Sequence, residues 1–189
     1  MVQGGGICGA IHDAAGAELA AACRKEHRSR CATGNTVVTE AYDLPAKHVL
    51  HTVGPTNEDH AALRRCYMST LDRCRELGLR SVALCCVSTG IYGFPVEKAA
   101  HVALRAVREW LEADDGRKLE SVVLCCWDER AAQVRTVHLS EHLSDPASNG
   151  PHHNSTSRDA CDRSRVFSAV RADTPGVLPS RGRCGRCCR

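Results

Sequence analysis

Short apolar runs recur along the first two thirds of the chain, and longer segments with a different pattern separate them. These runs are rich in β-branched or apolar residues and end at turn residues such as Gly54 and Pro55. Both properties are typical of buried strands. The pattern therefore predicts strands over residues 36–39, 47–53, 81–87 and 120–126.

In the segments between the runs, apolar residues recur every three or four positions, which is typical of helices with one buried face. This spacing predicts helices over 10–25, 58–77 and 95–111, with a weaker candidate over 128–142. Continuous apolar strands that alternate with helices indicate a sheet covered on both faces. The sequence therefore predicts an α/β layered domain.

The last quarter of the chain has a different composition. From residue 145 onward Ser, Pro, Asn and Arg are scattered without periodicity, and large apolar residues are few. We expect one domain over residues 1–143 and a disordered basic tail, containing Cys and Arg, over 144–189. The tail holds eight Arg and four Asp, so the net charge of +3 arises in the tail.

The apolar runs are far shorter than the roughly 20 residues that a membrane span requires, and the N-terminal residues resemble neither a signal nor a transit peptide. We therefore expect no membrane association and an intracellular location, in the cytoplasm or the nucleus. The 13 cysteines are an odd number, and several lie inside the apolar runs, where a free thiol packs as a small hydrophobe. We expect most of them to be reduced core residues.

Two glycine-containing loops carry the chemistry. The sequence STGIYGF (88–94) follows a predicted strand and precedes a predicted helix, and GGGICG (4–9) directly precedes another helix. Backbone amides at a helix N-terminus favour an anion, and glycines let the backbone approach a phosphate without Cβ clashes. Two such loops in one domain suit a diphosphate. For residues 4–9 the alternative is a flexible terminal loop.

Two better-known nucleotide motifs do not explain these loops. Gly4, Gly6 and Gly9 match the GxGxxG spacing of dinucleotide-binding folds, but that motif needs a strand immediately before it, and only three residues precede Gly4 here. Neither loop matches the GxxxxGK[ST] pattern of P-loop nucleotidases. We therefore set both of these classes aside.

Four segments together resemble macrodomains of the MacroD type, in the same order and at similar spacing. They are GGGICGAIH (4–12), DLPAK (43–47), HTVGP (51–55) and STGIYGFP (88–95). The resemblance covers about residues 4–140. It implies that the ligand is ADP-ribose, free or on a mono-ADP-ribosylated protein. The reaction that it implies is the removal of ADP-ribose from acidic side chains or the hydrolysis of O-acetyl-ADP-ribose, without a cofactor.

The resemblance also assigns roles to particular residues. It implies that the first loop lines the proximal ribose and the diphosphate, that the second loop closes over the phosphates with Phe94 packed beneath it, and that an aromatic residue stacks on adenine. The residues that it places at the ligand are Gly5, Gly6, Ile7, Ser88, Thr89, Gly90, Ile91, Tyr92 and Trp127. The residues alone leave alternatives open, because Trp127 can be a half-buried aromatic at a strand end and Tyr92 a packing residue of its loop.

The chain departs from the family at the proposed catalytic position. MacroD-type macrodomains have Gly-Val-Asp-Gly before Ile-His, and the Asp is assigned a part in activating water, whereas Cys8 stands there in this chain. A free thiol is mostly protonated at neutral pH and is a poor substitute for a carboxylate base. His12 remains and can orient a water or contact a phosphate, although a core histidine is an equal alternative. We expect a hydrolase of weakened activity, or else a reader of ADP-ribose without turnover.

The second departure concerns the sheet. The family begins with two strands, a Gly-Asp-Ile segment and an Asn-Ala-Ala-Asn turn, none of which precedes the first loop here. We therefore expect a three-layer α/β/α sheet of macrodomain type that lacks its first two strands, one of them central. Unpaired backbone groups in a central position cost much of a domain's stability. We expect a monomer if the sheet folds, or else an inactive truncated product that rearranges or aggregates.

The tail offers two further kinds of site, and we expect neither. Cys161, Cys184, Cys187 and Cys188 with His152 and His153 are zinc-ligand types. They form one tight pair, whereas strong zinc motifs have two. The Arg residues near the C-terminus are not interleaved with aromatic residues that would stack on bases. We expect no metal and no specific nucleic-acid partner.

Overall fold

The structure is a computed structural model that describes residues 6–26, 31–113, 119–126, 133 and 167–171. Its helices and strands alternate in the way that the apolar pattern predicts. In chain order they are α1 (Ile7–Ala15), α2 (Ala17–Glu26), β1 (Thr36–Glu40), β2 (His48–Thr52), α3 (His60–Glu76), β3 (Ser81–Leu84), α4 (Val96–Glu112), β4 (Ser121–Cys126) and β5 (Phe167–Arg171).

The strands form two separate sheets. β1 and β2 pair antiparallel, from Thr36 opposite Thr52 to Glu40 opposite His48. β3, β4 and β5 form a parallel sheet in that order. Within the described residues β2 and β3 do not pair with each other, which agrees with the central gap expected from the resemblance.

The strand β5 lies within the segment predicted as the tail. Residues 167–171 pair in parallel with β4, from Val122 opposite Phe167 to Cys126 opposite Arg171. The run is short and isolated in an aperiodic segment, so local sequence gives no reason to assign a strand. The open edge of β4 supplies the reason, because strand formation depends on the pairing context more than on intrinsic preference. Apart from β5, the predicted tail lies outside the described residues.

The core lies on both faces of β2. Val49 packs with Leu19 and Cys23 of α2 in one cluster, whereas the next residue, Leu50, packs against the larger cluster built by α3, α4, β3 and β4. Successive strand residues point to opposite faces, so α1 and α2 cover one side and α3 and α4 the other. The expected three-layer order is therefore present at β2.

The first predicted helix is two helices in the structure. The chain breaks at Gly16, whose φ of 79° falls in the left-handed region. A Cβ at this position would stand 2.5 Å from Oδ2 of Asp43, and the amide of Asp43 donates to the carbonyl of Ala15. The break between α1 and α2 therefore coincides with a tertiary contact to the DLPAK segment. The spacing of apolar residues in 10–25 does not reveal it.

The nine described cysteines are all free thiols, as predicted for the core positions. Cys74 is fully buried, and burial raises the pKa of its thiol to about 11. Burial likewise raises the pKa of the Cys23 and Cys66 thiols. None of the helices described combines the length and the hydropathy that crossing a bilayer requires.

Candidate functional site

The loop over residues 88–94 leaves the end of β3 and enters α4. Its two ends are tied together, because the amide of Phe94 donates to the carbonyl of Ser88 at 2.9 Å, and the amide of Gly93 donates to the carbonyl of Gly90 at the same distance. Phe94 is buried in the larger core cluster, and its ring meets that of His60 edge-on at 5.3 Å. The prediction that Phe94 packs beneath the loop is confirmed.

The tip of this loop is open to solvent. Ile91 is 79% exposed and Tyr92 49% exposed. In the part of the chain that the structure describes, the amides of Gly90, Ile91 and Tyr92 donate no hydrogen bond to the backbone. Three successive amides without a backbone acceptor, a few residues before the N-terminus of α4, are available as donors to an anion.

A close approach to the end of β2 fixes the start of the loop. A Cβ on Gly54 would stand 2.2 Å from Oγ of Ser88 and 2.7 Å from Cγ1 of Val87. The hydroxyl of Ser88 is buried and has no hydrogen-bond partner among the described residues. Sequence reasoning treated Gly54 only as the end of a strand. The HTVGP motif, which contains Gly54, was the available signal. The contact of Gly54 with Ser88 could not be predicted, because the two residues lie 34 positions apart in the sequence.

The first loop ends at Gly6, which caps α1 with a φ of 62° and no side-chain hydrogen bond to the helix. Ile7 follows and is 44% exposed. The first amides of an α-helix have no intrahelical acceptor, and the helix dipole makes this end positive. The start of α1 is therefore a second place that favours an anion.

His12 lies one turn further along α1 and is buried. Its ring centroid is 6.3 Å from that of His51 on β2, while Nε2 of His51 lies 2.9 Å from the hydroxyl of Thr39. The Nδ1 atom of His12 is buried and has no hydrogen-bond partner among the described residues. A buried polar atom is costly to leave unpaired, so this nitrogen can still accept or donate one hydrogen bond.

β2 and the residue Gly54 after it lie close to both α1 and the loop over 88–94. The ring of His51 on β2 lies close to that of His12 on α1, and Gly54, just beyond the end of β2, lies against Ser88 in the second loop. Nδ1 of His12 and Oγ of Ser88, the buried side-chain polar atoms that lack a partner among the described residues, thus belong to residues near the same segment. The start of α1 and the loop over 88–94 are therefore associated with the same segment of the chain, while residues 4 and 5 of the first predicted loop lie outside the described residues.

The site relies on backbone dipoles, because the residues predicted to bind ligand have no ionised side chain. Cys8 precedes His12 by four residues, so both project from the same face of α1, and Cys8 is half-buried. This face carries a thiol and an imidazole, with no carboxylate in the position of Cys8. Gly5 and Trp127 fall outside the described residues, as does the predicted helix over 128–142 except for residue 133, which is helical.

Comparison with known proteins identifies the group to which the chain is similar. A family model described as "Macro domain" matches residues 1–103. The ADP-ribose glycohydrolase MACROD1 of Rattus norvegicus is 45% identical over 147 residues, which cover 73% of this chain and 56% of that protein. A macro domain-containing protein of Ralstonia nicotianae is 43% identical over 146 residues, which cover 75% of this chain and 81% of the relative. The chain spans about half the length of the rat relative.

Solved structures extend the similarity to three dimensions. The Trypanosoma brucei macrodomain in complex with ADP-ribose is 42% identical, with a TM-score of 0.68 over 71% of this chain and 56% of that one. The Oceanobacillus iheyensis macrodomain with ADP is 32% identical, with a TM-score of 0.69 over 75% and 78% of the two chains. This likeness confirms the predicted α/β fold class.

Proposed function

This chain belongs to the Macro domain family, and from that premise we propose that it binds ADP-ribose through the diphosphate. One observation carries the proposal: α1, which begins after Gly6, and the loop over 88–94, which precedes α4, both lie against β2 or the residue Gly54 just beyond it. The second loop keeps three successive amides free at its tip. The complex of the Trypanosoma brucei relative with ADP-ribose supports the choice of ligand.

The residues have distinct roles in this proposal. The amides of Gly90, Ile91 and Tyr92 donate hydrogen bonds to one phosphate from the side of α4, and Ser88 and Thr89 complete the same loop. Gly6 and Ile7 approach the other phosphate and the proximal ribose from the start of α1. Gly5 belongs with them, and Trp127 stacks on the adenine by its large flat face.

We further propose that the chain retains weak ADP-ribosyl hydrolase activity on acidic side chains or on O-acetyl-ADP-ribose. His12 supports it, because its free Nδ1 is available to orient a water or a phosphate. Cys8 limits the rate of hydrolysis, since a suitable general base raises a reaction rate about 10²–10⁴-fold and a thiol is a poor one. The curated relatives named as ADP-ribose glycohydrolases support the reaction class.

A reader of ADP-ribose without turnover is the second candidate function. Cys8 favours it specifically, because the thiol replaces the one carboxylate that the family resemblance assigns to water activation. Binding by backbone amides does not depend on that residue. A reader therefore keeps the diphosphate site and loses only the chemistry.

Restoring the acid tests the two candidates against each other. The substrate is a peptide with ADP-ribose on a glutamate, and the assay measures released ADP-ribose by chromatography for the wild type and Cys8→Asp. We expect Cys8→Asp to raise the rate at least tenfold at unchanged affinity for ADP-ribose. A Cys8→Ser variant controls for loss of the thiol and should not gain activity. If Cys8→Asp binds ADP-ribose but hydrolyses nothing, the missing acid does not explain the lack of turnover.

A further inference from the structure

Tyr67 on α3 bridges two backbone groups at the root of the phosphate loop. Its hydroxyl donates to the carbonyl of Cys85 and accepts from the amide of Val87, both at 3.2 Å. The ring is buried in the larger core cluster. The helix that carries it is capped at Asp59, whose carboxylate accepts from the amide of Ala62 at 2.8 Å. The hydroxyl is therefore held by a rigid support.

The residues that this hydroxyl contacts lie just beyond the paired part of β3. The parallel ladder with β4 ends at Leu84, and the chain then runs through Cys85 and Val87 into the loop. The amide of Val87 also donates to the carbonyl of Cys85 at 3.1 Å, so the hydroxyl of Tyr67 joins a turn closed by its own backbone and ties that turn to α3. The contact therefore sets the direction in which the chain enters Ser88.

Ser88 has an unfavourable backbone conformation. Its φ of 63° lies in the left-handed region, where residues other than Gly, Asn and Asp are rarely found. Such a residue persists only when its surroundings determine its conformation. Phe94 holds Ser88 from the downstream side through the Ser88 carbonyl, and Tyr67 holds Val87 on the upstream side. The geometry of the free amides at the tip depends on both contacts.

We propose that Tyr67 is a positioning residue for diphosphate binding: its hydroxyl holds the Ser88 loop in the binding geometry from outside the site. The proposal rests on the proposed function, because it assigns Tyr67 a part in the same site. Tyr67 does not touch the ligand. It acts through Val87 and Ser88.

The test removes only the hydroxyl. Tyr67→Phe keeps the buried ring, and Thr70→Val is the matched control. Thr70 lies on the same helix and is also buried, but its hydroxyl contacts Cys66 and Thr36, away from the loop. Calorimetry measures the Kd for ADP-ribose and for ADP, and hydrogen exchange with mass spectrometry measures protection of peptides covering 85–94 without ligand.

We expect Tyr67→Phe to raise the Kd for both ligands about tenfold, and to speed exchange in 85–94 at least fivefold. Thr70→Val should stay within twofold of the wild type in both measurements. Unchanged exchange in Tyr67→Phe, or equal losses in the two variants, would overturn the proposal. If the wild type binds neither ligand, the proposed function fails, and the exchange result alone decides whether Tyr67 positions the loop.

Discussion

Replacing Gly54 by Ala should displace the phosphate loop. The new Cβ would stand 2.2 Å from Oγ of Ser88 and 2.7 Å from Cγ1 of Val87, both well inside contact distance. The backbone of Gly54 is not left-handed, so alanine adds no backbone strain there. The cost of the substitution is therefore steric. Overpacking of a buried site costs about 1–3 kcal/mol. We expect a loss of about 2 kcal/mol in the free energy of unfolding, or about 4–8 °C in Tm for a chain of this size.

Displacement of the loop should also weaken the binding of ADP-ribose. Val87 and Ser88 must move to accommodate the methyl group, and the free amides at the loop tip move with them. We expect the Kd for ADP-ribose to rise about tenfold, because a loop that must be re-ordered on binding loses affinity. Urea unfolding gives the stability change, and calorimetry gives the Kd.

Gly90→Ala is the matched control for stability. A Cβ at Gly90 meets nothing within 4 Å, so the free energy of unfolding should change by less than about 0.5 kcal/mol. The reasoning is refuted if Gly54→Ala unfolds within about 0.5 kcal/mol of the wild type and binds ADP-ribose within twofold. In that case the contact between β2 and the loop does not fix the site.

Cys74 should react with a disulfide reagent at pH 8 only after urea unfolds the chain, because burial raises the pKa of its thiol to about 11; labelling as fast as a half-buried thiol would contradict the packing. The hydrogen bond from Arg64 holds the pKa of the Glu109 carboxyl below its usual range. A lowered pKa stabilises the fold above the unfolded-state pKa, and this stabilisation is lost as the pH falls through the folded-state pKa. Glu109→Gln should therefore lower the unfolding free energy by about 0.5 kcal/mol at pH 7, a small value because the ion pair is partly exposed to solvent. Urea unfolding at a series of pH values measures this difference, which should disappear at the acid end. Deleting residues 144–189 removes β5 and opens the edge of β4, so sedimentation should show self-association; a monomer of unchanged stability would contradict the pairing.

Local patterns sufficed for most of the helices and strands. The continuous apolar run of β4 predicted that strand to within one residue, and the helical spacing predicted α3 and α4 closely. These elements bury a face that the sequence displays directly, as apolar residues at the matching period. The glycine-containing loop over 88–94 was also predicted, because glycines between a strand and a helix favour a loop. The prediction of a loop over 4–9 was wrong at residues 7–9, which begin α1.

Contacts between distant residues were not predictable in the same way. The break at Gly16 depends on Asp43, the strand β5 depends on the open edge of β4, and the root of the loop depends on Tyr67. Each is a pairing of residues far apart in sequence, and no periodicity records it. Gly54 shows the same limit, since its motif was visible but its contact with Ser88 was not.

Calorimetric titration of ADP-ribose into the purified full chain is the most direct test of the central claim, with far-UV circular dichroism and sedimentation establishing that the sample is folded and monomeric. We predict saturable binding with one site per chain, competed by ADP and weakened about tenfold by Gly54→Ala. Absence of binding heat at millimolar ADP-ribose, from a chain that unfolds cooperatively as a monomer, would contradict the account.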